Sequence, residues 1–136
     1  MNQAHDLGML LGRILLVLIF VMSGLSKITG FATTAGYMAK MGVPLVYPAL
    51  LLSILMELGG GLLILIGYHT RLVAILVLLW FIPVTLIFHL NTWRHGQDAM
   101  INMIMFLKNV SIMGGLLLVA SAGPGAYSVD GTARAD

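Results

Sequence analysis

The sequence predicts an all-α membrane protein: a bundle of four transmembrane helices with a short interfacial helix between the first two. Three observations carry this. Of 136 residues, 60 % are hydrophobic and 9 % charged, with mean hydropathy +1.02, whereas a soluble domain carries about 25 % charged residues. Four apolar runs each approach the roughly 20 residues a helix needs to cross the hydrocarbon core. None of the runs shows the two-residue alternation of a barrel strand.

The first span covers residues 7–28, with Arg13 near its start and Lys27 near its end. The preceding MNQAHD holds no Lys or Arg, and the run ends without a small-residue cleavage site. It therefore reads as a retained span rather than a removed signal peptide. Residues 29–44 form the longest connection and carry Phe31, Tyr37, Met38 and Met41, which suits a short helix lying in the membrane interface. The second span, residues 45–68, contains Glu57. A tight GYHTR turn leads to the third, residues 72–89, where Pro83 should kink the helix or open local backbone groups. A polar connection, NTWRHGQDA, offers Trp93 as an interfacial anchor. The fourth span, residues 100–122, contains Lys108 and Asn109 and ends at Gly-Pro-Gly. Residues 123–136 form a polar tail, and the whole chain, 1–136, reads as one membrane domain.

Four spans put both termini on one face, here called face A. It carries Arg13, Arg71 and Arg134, while the opposite face B carries Lys27, Lys40 and Arg94. With counts this even, the excess of cytoplasmic Lys and Arg that orients membrane proteins is nearly silent; the reading adopted is both termini in the cytoplasm.

Glu57 lies near the middle of its span, where an unpaired carboxylate costs a few kcal/mol. Ser53, Glu57, Gly60, Gly61 and Ile64 share one helical face. Arg13, Phe20, Gly24 and Lys27 form a stripe on the first helix, and Thr85 and His89 are four apart on the third. Lys108 lies about eight residues into the fourth span, or roughly 12 Å from face B. At these depths Lys27, Glu57, His89, Asn102, Lys108 and Asn109 can line one cavity open to face B. Two lysines against one glutamate leave a positive surplus that calls for an anion, water or a polar ligand. A quinone or quinol head group suits such a site, because its oxygens accept from Lys, His or Asn and, when reduced, donate to Glu, while apolar walls hold the ring.

Each residue also has a structural reading. Arg13 and Lys27 are near enough to span ends to extend their charged tips to the headgroups. Glu57 and Lys108 can form a pair that fixes helix register. His89 can cap the interface, and Asn102 and Asn109 can bridge helices. Arg71 suits a helix cap or a lipid phosphate contact. Gly8 and Gly12 have the four-residue spacing of a helix contact, which leaves a homo-oligomer open.

Composition excludes several chemistries. With no cysteine, disulfides, thiol catalysis and Cys-ligated metals are absent. A net charge of +2 gives no reason to expect nucleic acid. His89 and His95 flank a polar loop without strong metal spacing, so no metal site is expected. No nucleophile, base and orienting group stand together as a hydrolase would require.

Six segments, in order, resemble the DoxX family, most closely its YqjF-like bacterial inner-membrane members. They are GRILLVLIFVMSGLSKITGF, YMAKMGVP, ELGGGLLILIGYHTR, FHLN, MFLKN and GPGAYSVD, and together they reach over nearly the whole chain. The resemblance implies a small four-helix inner-membrane protein. It covers Arg13, Lys27, Glu57, Arg71, His89, Lys108 and Asn109. Relatives in the family include a subunit of a thiosulfate:quinone oxidoreductase, a component of a membrane complex for superoxide and thiol defence, and products of operons that answer quinones and catechols. The resemblance thus points to quinone or redox stress at the membrane. No covalently bound cofactor is implied, and no residue here matches a redox-centre motif, so an accessory subunit of an oxidoreductase system is the expectation. A docking subunit without ligand chemistry and a small transporter are the alternatives.

Overall fold

The structure is a computed structural model that describes residues 2–90 and 98–132. Trp93, Arg94, His95 and Arg134 lie outside the described residues. Helix α1 spans Gln3–Thr29, α2 Phe31–Lys40, α3 Val46–Ile66, α4 Thr70–Leu90, α5 Ala99–Ala122 and α6 Val129–Thr132. Four of them, α1, α3, α4 and α5, are long and apolar enough to cross a membrane.

Consecutive long helices pack as neighbours. Helix α1 packs on α3, α3 on α4, and α4 most extensively on α5, which closes the ring against α1. The centre holds Val17 and Phe20 from α1, Ile64 from α3, Val77 and Phe81 from α4, and Leu116 from α5. The outward faces carry exposed Leu15, Met22, Leu55, Leu72 and Leu118, as expected where lipid takes the place of water. Lipid tails are as apolar as these side chains, so close packing and interhelical hydrogen bonds supply the cohesion. Gly24 shows the packing term: a Cβ there would sit 2.7 Å from Leu58 Cβ. Glycine lets α1 and α3 touch at that level. Gly8 and Gly12 meet nothing within 4 Å inside the chain.

Helix α2 forms because Phe31, Ala35 and Met38 recur on one face. Ala35 and Met38 bury against Leu50, with Phe88 beside them. Helix α2 thus folds across the face B end of the bundle. Two long helices depart from α geometry: α3 has a π turn at Leu55–Gly59 and α4 ends in one at Leu86–Leu90. Helix α4 runs through Pro83, and Thr85 Oγ1 donates to the Phe81 carbonyl at 2.7 Å just after it. Pro83 lacks the N–H that would bond Leu79 C=O, and the Thr85 hydroxyl bond and the π turn lie just beyond it.

At face A the tail is a built part of the fold. Helix α3 ends in a Schellman motif, with Tyr68 N–H bonded to Leu63 C=O and Gly67 N–H to Ile64 C=O. Gly67 has φ +74, and an added Cβ would lie 2.2 Å from Ser128 Cβ. Two independent constraints therefore require glycine there.

Candidate functional site

The charged residues sort into two groups at opposite ends of the bundle. At face A, Arg13 is 1 % exposed. Its Nη1 donates to Ile64 C=O at 3.2 Å and Leu65 C=O at 2.8 Å, and its Nη2 donates to Tyr127 C=O. The headgroup-seeking reading of Arg13 is corrected: the last turn of α3 leaves carbonyls without helical partners, and the guanidinium is drawn inward to them. Arg71 does the same for α5, donating to the carbonyls of Ala120, Ser121 and Ala122. Asp130 caps the start of α4 from the tail, accepting from His69 N–H at 2.9 Å, Thr70 N–H at 2.8 Å and Thr70 Oγ1 at 2.9 Å. Partial burial pushes this carboxyl upward, but the three hydrogen bonds outweigh it and hold Asp130 below the ordinary carboxylate range. Asp6 accepts from Ala126 N–H. These residues tie down helix ends and leave little for chemistry.

At face B a cavity of about 300 Å³ lies between α1, α2, α3, α4 and α5. Lys27, Glu57, His89, Lys108 and Asn109 all line it. Asn102 does not. It sits in the first turn of α5, donates to the Asp98 carbonyl at 3.1 Å, and meets His89 from outside the lining. Glu57, 4 % exposed, sits in the π turn of α3. Lys27 Nζ lies 2.8 Å from Glu57 Oε2 and 2.8 Å from Ser23 Oγ. The register pair expected between Glu57 and Lys108 is therefore corrected to Glu57 with Lys27. The stripe that carries Lys27 on α1 faces α3, and Gly24 brings the two helices close enough for the lysine to reach.

Among the described residues, Lys108 has neither an ion pair nor a hydrogen bond. Asn109, 2 % exposed, donates through Nδ2 to Thr85 Oγ1 at 3.1 Å, while its Oδ1 has no partner among the described residues. The amide orientation follows from Thr85, whose only proton is committed to Phe81 C=O. Thr85 can then only accept from Asn109, which directs the amide NH₂ to it and leaves the carbonyl end uncommitted.

Aromatic rings furnish the walls. Phe20 and Phe81 meet edge to face at 5.2 Å, and Tyr37 of α2 stacks on Phe88 at 5.7 Å. Sequence reasoning missed Ser23 and Thr34 of the lining. Ser23 stands one helical turn before Lys27, the spacing that would have found it. The π turns that carry Glu57 and His89 had no readable signal, though such turns often mark functional sites. Among the described residues no cluster of three His, Asp or Glu is placed to hold a metal.

A family model described as DoxX matches residues 8–90 of the chain. The chain belongs to the DoxX family. Its curated relatives include the inner membrane protein YqjF of Escherichia coli strain K12, 45 % identical over 96 % of this chain and 95 % of the relative. The inner membrane protein YphA of the same strain is 42 % identical over 95 % of this chain and 92 % of the relative. A more distant relative, the putative oxidoreductase CatD of Bacillus subtilis strain 168, is 36 % identical over 56 % of this chain and 55 % of its own length. No solved structure matches the chain. The DoxX match reaches Arg13, Lys27, Glu57, Arg71 and His89, whereas Lys108 and Asn109 lie in the part covered by the two Escherichia coli relatives.

Proposed function

We propose that this protein binds the head group of a quinone, quinol or small phenolic in the face B cavity, as an accessory subunit of an oxidoreductase system. One observation carries the reading. Among the described residues, Glu57 is the one carboxylate of the lining and is engaged by Lys27, yet a second lysine, Lys108, lines the same apolar-walled space, as does Asn109, whose buried Oδ1 has no partner. A closed structural network would satisfy these groups, since buried polar atoms without partners are costly. A ring with oxygen substituents fits: Lys108 donates to one oxygen, Asn109 orients the head, and Phe20, Phe81 and Phe88 contact the faces. Glu57 supplies a proton acceptor, and His89 links the cavity to the aqueous side. A volume of about 300 Å³ is at the lower end for small-molecule sites, in keeping with a head group and no more.

The redox association draws on the distant relative named as a putative oxidoreductase. The inner-membrane location follows the names of the two full-length relatives, and both termini are assigned to the cytoplasm. The test is equilibrium binding of duroquinone and durohydroquinone to the purified protein, compared with Glu57→Gln and Lys108→Met. Each substitution is expected to weaken binding of the better ring by roughly tenfold, the scale of one hydrogen bond to a charged group. Binding unchanged in both variants would remove the assigned site.

A further inference from the structure

Building on that reading, we infer that the cavity selects the hydroxyl-bearing, singly ionised form of its ring ligand over the oxidised quinone. Two features of the lining lead there independently.

The first is the direction of the hydrogen bond that Asn109 has to offer. Thr85 has spent its proton on Phe81 C=O, so Asn109 Nδ2 is held by Thr85 and Oδ1 is left as an acceptor. An oxidised quinone carries only acceptor oxygens and leaves Oδ1 as it is. A ring hydroxyl donates to it. A site built to pair with a hydroxyl discriminates strongly against the analogue that lacks one, because the buried partner is then left unpaired.

The second is charge. The groups that face Lys108 across the cavity are Lys27 from α1, Tyr37 from α2, Glu57 from α3 and His89 from α4. Lys27 and Glu57 cancel at 2.8 Å. With Lys108 the described lining holds two lysines against one carboxylate, a formal surplus of one positive charge within the membrane span that is costly without a counter-charge. A neutral quinone cannot supply that counter-charge, whereas a ring with one ionised oxygen does. Its remaining hydroxyl serves Asn109. The proton given up on ionisation is released to bulk water on the face B side.

Three probes separate the claims. Duroquinone has acceptors only, durohydroquinone has neutral hydroxyls, and tetrachlorohydroquinone has acidic hydroxyls, the first of which ionises while the second is retained. Binding is measured anaerobically on the full chain in detergent micelles from mildly acid to mildly alkaline pH. Durohydroquinone is expected to bind roughly tenfold more tightly than duroquinone. Tetrachlorohydroquinone is expected to tighten as pH rises through its first ionisation and then level off, while neither duro ring changes in step. Comparing probes at each pH cancels any titration of His89 common to all three. In Lys108→Gln, with its helical circular dichroism checked, the pH-dependent tightening should disappear. Duroquinone binding as well as its quinol, or tetrachlorohydroquinone binding without pH dependence, overturns the inference and leaves ring binding intact. Tightening that persists in Lys108→Gln overturns the role given to that lysine. Failure of all three rings to bind overturns the ring-binding reading, and this inference with it.

Discussion

Lys27→Met should be the most damaging single change at the face B end, and more damaging than Glu57→Gln. The two side chains meet at 2.8 Å. At an effective dielectric of about 20 their gross attraction is about 6 kcal/mol, most of it offset by desolvation. The asymmetry comes from what each substitution leaves behind. Without Lys27, Glu57 stays 4 % exposed in mid-span with its nearest cation gone, and breaking a buried pair in this way costs about 3–5 kcal/mol. Without the Glu57 charge, Lys27 keeps Ser23 as a partner at 2.8 Å, and its side chain is 22 % exposed near the end of α1. It can extend toward face B, so the cost falls to about 1–2 kcal/mol. The double variant should cost no more than Lys27→Met alone, because it buries no lone charge. Reversible unfolding in mixed detergent micelles measures all three and closes a double-mutant cycle. If Lys27→Met costs less than about 1 kcal/mol and the two changes add, the pair does not hold Glu57 in the span.

Three further outcomes follow from the packing and from the face A network. Gly24→Val places atoms where Leu58 Cβ already lies within 2.7 Å of an added Cβ, and should cost about 1–3 kcal/mol in the same unfolding assay. Gly8→Val should be nearly neutral in the monomer, since nothing in the chain lies within 4 Å. Asp130 is held below its ordinary range in the fold, so the unfolded chain binds its proton first as pH falls; stability from Asp130 is present above the unfolded carboxylate pKa and is lost as pH drops through the folded one. Thermal unfolding scans should show that acid loss in the natural protein, and Asp130→Asn should be less stable at neutral pH with a flatter acid limb.

The four spans were legible because hydropathy and length leave few alternatives for runs this apolar. Helical spacing also brought Lys27, Glu57, His89, Lys108 and Asn109 to compatible depths, and all five line the cavity. The choice of partner was not legible. Depth alone makes Lys27 and Lys108 equal candidates for Glu57; only the close approach at Gly24, which depends on Leu58 across the interface, favours Lys27. Asn102 was misplaced because a residue in the first turn of α5 finds a backbone acceptor one turn back, at Asp98. The tail read as a polar extension because its contacts are distant in sequence: Asp130 meets His69 and Thr70, and Tyr127 meets Arg13. Local pattern carries no trace of such contacts. The π turns escaped for a different reason, since one widened turn barely alters hydrophobic periodicity.

A structure determined in a bilayer mimetic with durohydroquinone present tests the central claim most directly. Ring density is expected in the face B cavity, with one oxygen at hydrogen-bond distance from Lys108 Nζ, a hydroxyl on Asn109 Oδ1, and the Lys27–Glu57 pair intact. A cavity filled by repacked side chains, with Lys108 turned onto Glu57 and the ring absent or bound elsewhere, would contradict it.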